Sequence, residues 1–124
     1  MNESLIYIGA GIIILWGIAH IIPTRAIVNG FGTISKDNKK ILTMEVIAEG
    51  LTLIFLGALP LAVALSCNPP NCTANNVFLA SGGMLLAMAL LTLFTGARTP
   101  TIWYKICPAV KTLVAILYIL GAVL

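Results

Sequence analysis

Charge is what this sequence has least of. Four acidic and seven basic residues make up 9% of its 124 positions, against about 25% in an ordinary soluble domain. With 60% hydrophobic residues and a mean hydropathy of +1.06, such a chain would not stay monomeric in water. Histidine is nearly missing too. The single His20 excludes bis-histidine haem within a monomer, and there is no Glu-x-x-His pair of the di-iron kind. No phosphate-binding glycine loop, catalytic triad or zinc-finger spacing is present, and nucleic acid is not an expected partner. Proline and glycine are too few for a disordered chain. The longest polar stretch, 23–40, is enough for a loop and not for a soluble domain. Residues 1–4 carry no Lys or Arg and no small-residue cleavage site follows, so a cleaved signal peptide is not expected.

What is there is four apolar runs, at 5–22, 41–66, 77–97 and 109–124. A spanning helix needs about 20 apolar residues, so the first three are long enough and the fourth is short. The expected fold is all-α, a single integral membrane domain formed as a four-helix up-down bundle. Pro23 closes the first run. Asn29-Gly30-Phe31-Gly32 is a turn signal, and Asp37 or Ser35 is placed to cap the second helix. Gly57 and Pro60 predict a kink in the second run. Trp103 and Tyr104, in the loop 98–108, suit a membrane–water interface. Small residues for close helix packing lie in runs two and three, including Gly50, Gly57, Gly83 and Ala87.

The basic residues fix an expected orientation. Arg25, Lys36, Lys39, Lys40, Arg98, Lys105 and Lys111 all lie in, or within a turn of, the first and third loops. The positive-inside rule puts 23–40 and 98–108 in the cytoplasm and both termini outside, in a multi-pass protein of the cell (inner) membrane. Cys67 and Cys72 then share the outer loop, where a disulfide is expected. They are not spaced as Cys-x-x-Cys, and no basic residue lies nearby to activate a thiol. Cys107, on the cytoplasmic side, should stay reduced. Asn2-Glu3-Ser4 and Asn71-Cys72-Thr73 match the glycosylation triplet and face outward.

The second run is organised around two carboxylates. An ionisable residue inside a span is a functional hypothesis by default. Glu45 and Glu49 are four residues apart and share a helix face, about 6 and 12 Å into the helix. His20, Arg98 and Lys111 approach the same membrane face from the other three runs. Trp16 precedes His20 by a turn; Thr52 extends the glutamate stripe; Thr92 and Thr95 lead to Arg98; Tyr118 shares a face with Lys111. Turned inward, these residues line a polar pocket open to the cytoplasm. His20, Glu45, Glu49, Arg98 and Lys111 are then ligand-binding or proton-responsive. Alternatively the two glutamates pair with Arg98 and Lys111 and tie four helices together, or Lys111 snorkels to the interface. Imidazole and carboxylate suit several divalent metals, but with one histidine no metal site is expected.

Gly11, Gly17 and His20 in the first run, and Glu49-Gly50 followed by Leu56-Gly57-Ala58 in the second, resemble the DoxX-like superfamily of small four-helix membrane proteins. The resemblance covers the first two spans. It implies a four-helix bundle and, in some members, association with quinone-linked sulfur oxidation or with another membrane subunit. Three functions follow as expectations. The first is a protein holding a lipophilic ligand (quinone or lipid) or a partner membrane subunit at the polar pocket. The second is a proton-coupled transporter of cations or small molecules, working as a homodimer. The third is an enzyme acting on a lipid or quinone with a glutamate or His20 as acid or base.

Overall fold

A computed structural model of the chain describes residues 1–67 and 72–124, the side chain of residue 72 excepted. Among the described residues there are helices and no strands: α1 (Glu3–Ile21), α2 (Thr24–Asn29), α3 (Lys36–Ser66), α4 (Cys72–Phe94), a 3-10 turn (Gly96–Arg98) and α5 (Ile102–Val123). Four of these helices are long and apolar enough to cross a membrane. The expected disulfide between Cys67 and Cys72 lies outside the described residues.

Local chemistry explains most of the boundaries. Ser35 caps α3, its Oγ accepting from the Asn38 N–H at 3.1 Å, which satisfies one of the open donors of the first turn. Gly32 takes a φ of +74°, a left-handed conformation that glycine adopts without penalty, and ends the turn before α3. The segment expected as a plain loop contains α2, which packs on α3. The largest departure is at the C-terminal end. The helix expected over 109–124 starts at Ile102 and runs for 22 residues, so it is not short. Pro108 lies inside it, and Trp103 and Tyr104 belong to its first turn. Pro108 occupies the second turn of α5, past the four open donors of the helix start, so the carbonyl four residues earlier, that of Tyr104, loses its helical donor.

Glycine sets how closely the helices approach. A Cβ on Gly17 would lie 2.7 Å from the Gly50 carbonyl oxygen, and a Cβ on Gly57 would lie 2.9 Å from that of Ala10. Seven residues separate the two contacts on each helix, so α1 and α3 run antiparallel with their backbones nearly touching, as small residues permit. Gly9 receives the ring of Tyr118, and Gly121 receives Ile6. The Asn2 N–H donates to the Gly121 carbonyl at 2.8 Å, joining the start of α1 to the end of α5. On the other side of α5, Gly82 of α4 faces the Ala115 carbonyl. α3 and α4 meet less extensively than the pairs α1–α3 and α4–α5.

α3 continues through Pro60. Proline has no N–H, so the carbonyl four residues earlier, that of Leu56, loses its helical donor. The Tyr118 hydroxyl of α5 donates to that carbonyl at 3.0 Å. Tyr118, expected to line the polar pocket, is fully buried and instead repairs this gap in the neighbouring helix. The outward-facing side chains are large and apolar, among them Leu15, Phe55, Leu65, Leu91 and Leu113.

Candidate functional site

One end of the helix assembly gathers the polar groups. α1 brings Trp16 and His20, α3 brings Glu49, α4 brings Thr92, and α5 brings Cys107 and Lys111. Lys111 is the anchor. It is fully buried, and its ammonium donates to Glu49 Oε1 at 2.6 Å and to Thr92 Oγ1 at 2.9 Å. A buried ammonium is tolerated only when paired and hydrogen-bonded, and these two contacts meet that need. Lys111 therefore does not snorkel. Thr92 Oγ1 in turn donates to the Met88 carbonyl at 2.8 Å, which leaves its lone pairs facing the lysine.

His20 lies beside this pair, its Nε2 3.8 Å from Glu49 Oε1. Its Nδ1 lies 3.0 Å from the Trp16 carbonyl. A carbonyl only accepts, so the Nδ1 of the neutral ring carries the proton and Nε2 presents a lone pair. That lone pair faces the Cys107 thiol, with Sγ at 3.6 Å. The Trp16 indole N–H donates to the same sulfur at 3.4 Å, and the Trp16 and His20 rings meet edge to face with centroids 5.8 Å apart.

Two cavities flank this cluster. An apolar one of about 320 Å³ is lined by Trp16, His20, Pro23, Ile27, Trp103 and Tyr104, among others. A more polar one of about 470 Å³ is lined by Glu45, Glu49, Thr52, Thr92, Thr95, Tyr104 and Lys111, together with Met84, Met88 and Leu91. Tyr104 stands on both walls.

The expected constellation is thus assembled in part. His20, Glu49, Lys111, Trp16 and Thr92 come together. Glu45, Thr52 and Thr95 share the second cavity, but Glu45 is exposed and has no ion pair among the described residues. The hydroxyls of Thr52 and Thr95 are spent on carbonyls one turn back, those of Ala48 and Leu91. Arg98 is not part of the site. α4 ends at Phe94, and Thr95 takes a non-helical conformation, so the following turn directs Arg98 outward. Its guanidinium lies 5.5 Å from the Phe94 ring centroid, a cation–π contact, and it makes no salt bridge to either glutamate among the described residues. Of the two expected acid–base pairs, only Glu49–Lys111 forms. Cys107, expected only to stay reduced, is the residue that sequence reasoning missed. It precedes Lys111 by four residues and so shares its face, a signal that becomes visible once α5 is extended through Pro108.

Comparison with models of protein families gives no match, and neither does comparison with curated proteins or with solved structures.

Proposed function

We propose that the chain is an integral membrane four-helix up-down bundle that holds a lipophilic ligand with a flat, polar head, a membrane quinone, in the aromatic cavity beside His20. The observation that carries this is the cavity itself. Its walls are indole, phenol and apolar side chains, with the His20 imidazole and the Thr101 side chain as further polar groups among them. Ligand sites are typically apolar hollows with a few fixed polar groups that orient the head. Offset aromatic stacking suits a planar ring. The large apolar side chains on the outer helix faces give a bilayer-facing surface along which an isoprenoid tail can lie.

The basic residues Arg25, Lys36, Lys39 and Lys40, followed by Arg98 and Lys105, support an orientation in which this end faces the cytoplasm and both termini face outward. Thiol labelling of single cysteines introduced at Lys39 and Asn2 in intact cells tests it; labelling of position 39 from outside would reverse the orientation. Membership of the DoxX-like superfamily belongs to the same proposal. In its support, two of the glycines and the acid–histidine pair of the resemblance come together, Gly17 against Gly50 and His20 near Glu49. Glu49 is already partnered by Lys111, which counts against a carboxylate that couples cation flux.

Both tryptophans of the sequence, Trp16 and Trp103, line the aromatic cavity, so intrinsic fluorescence reports on it directly. A short-chain quinone titrated into detergent-solubilised protein should quench emission saturably, and His20→Ala should weaken binding. Quenching no different from that of free tryptophan would overturn the proposal. A phospholipid, and no quinone, in the organic extract of the purified protein would reassign the ligand as a lipid.

A further inference from the structure

Beyond the holding of a lipophilic ligand, and sharing only His20 with it, stands the juxtaposition of a thiol, an imidazole and a carboxylate. We propose that Cys107 Sγ, His20 Nε2 and a carboxylate oxygen of Glu49 form a binding site for a divalent cation of the zinc class, with a fourth position left for an external ligand. The three ligand atoms lie within 4.8 Å of one another. The tetrahedral edges expected from zinc–sulfur and zinc–nitrogen bonds of about 2.3 and 2.0–2.1 Å are about 3.5 Å. The sulfur–nitrogen separation is 3.6 Å, and the nitrogen–oxygen separation is 3.8 Å. Shifts of a few tenths of an ångström would close the second edge.

The outer partners already suit a metal. A ligating histidine almost always gives its other N–H to a carbonyl or carboxylate, which fixes the ring and its tautomer. Here His20 Nδ1 is held by the Trp16 carbonyl at 3.0 Å. The Trp16 indole N–H on Cys107 Sγ is a donor that a thiolate accepts as well as a thiol does. Lys111 grips Glu49 Oε1 and orients the carboxylate, and the same oxygen, the one that stands 3.8 Å from His20 Nε2, keeps a further lone pair for the cation.

The charge balance is specific. Without metal, the cluster holds a neutral thiol, a neutral imidazole and one compensated ion pair. On binding, the Cys107 S–H bond breaks, a sulfur–metal bond forms and one proton passes to solvent. The +2 of the cation meets one thiolate and one carboxylate, and Lys111 keeps its charge, so the cluster is left with a single net positive charge. An anionic fourth ligand, such as hydroxide or a deprotonated phenol-type oxygen, would neutralise it. Such a ligand has a way in, since His20 and Glu49 each line one of the flanking cavities. Three protein ligands and an open position are the pattern of reactive rather than purely structural zinc sites.

Cobalt(II) titration of the purified, chelator-stripped protein tests this, because a thiolate–cobalt bond has its own charge-transfer absorption. One equivalent of Co²⁺ should produce that band, and Zn²⁺ should bleach it. The band should survive Cys67→Ser combined with Cys72→Ser. It should vanish in Cys107→Ser, or in Cys107→Ala if the serine variant does not fold. His20→Ala should weaken binding by more than the roughly 10- to 100-fold that losing an outer partner costs. No thiolate band in the wild-type protein would overturn the proposal, with no variant needed. A band that persists without Cys107 would overturn it equally.

Discussion

Replacing Tyr118 by Phe removes a single oxygen and leaves the ring packed against Gly9, so any loss of stability belongs to the hydrogen bond. An ordinary hydrogen bond between helices in a membrane protein is worth about 0.6 kcal/mol, because the loosened state finds other partners. The bond from Tyr118 to the Leu56 carbonyl should be worth more. Pro60 has taken away that carbonyl's helical donor, and an unsatisfied buried polar group costs about 1–3 kcal/mol. Tyr118→Phe should therefore destabilise by about 1–3 kcal/mol. In a Pro60→Ala background residue 60 regains its N–H, α3 supplies its own donor, and the same substitution should cost about 0.6 kcal/mol or less. Reversible unfolding in mixed micelles, run as a double-mutant cycle, measures the difference. Equal costs in the two backgrounds would refute the reasoning, whatever their size.

The Glu49–Lys111 pair should respond asymmetrically. Glu49→Ala strands a fully buried ammonium and should cost about 3–5 kcal/mol, the usual result of breaking a buried pair. Lys111→Met leaves a carboxylate whose side chain is 34% exposed and should cost clearly less in the same unfolding assay; the reverse order would show that Lys111 is solvated. At the α1–α3 contact, a Cβ on Gly50 would stand 2.5 Å from Ile21 Cγ1 and 2.9 Å from the Gly17 carbonyl oxygen. Gly50→Ala should lose about 1–3 kcal/mol to overpacking, whereas Gly11→Ala, with nothing within 4 Å, should be tolerated. Arg98→Ala should lose no more than about 1 kcal/mol, the scale of an exposed cation–π contact, and should leave quinone quenching unchanged.

The apolar runs and the glycine spacing made the long helices legible in the sequence, since a helix among apolar surroundings must be continuous and apolar throughout. The His20–Glu49–Lys111 cluster was legible because ionisable groups in such helices are few and have few places to go. Arg98 was misplaced because a stripe drawn from Thr92 and Thr95 to Arg98 assumes a helix that persists. The backbone leaves the helix at Thr95, and one broken turn points the guanidinium elsewhere. Cys107 and the start of α5 were hidden together. Thr101, Lys105 and Pro108 look like loop chemistry in one dimension, and only packing against α4 and the 3-10 turn makes that stretch helical. The role of Tyr118 was hidden for a different reason: its partner is a main-chain carbonyl on another helix.

Tyr104 forms part of the wall of both hollows. Beside the buried cluster, one phenol ring is thus shared by the two. A guest in the aromatic chamber that turned this ring would reshape the wall of the acid-lined one. Communication between the two compartments would then need no shift of any helix.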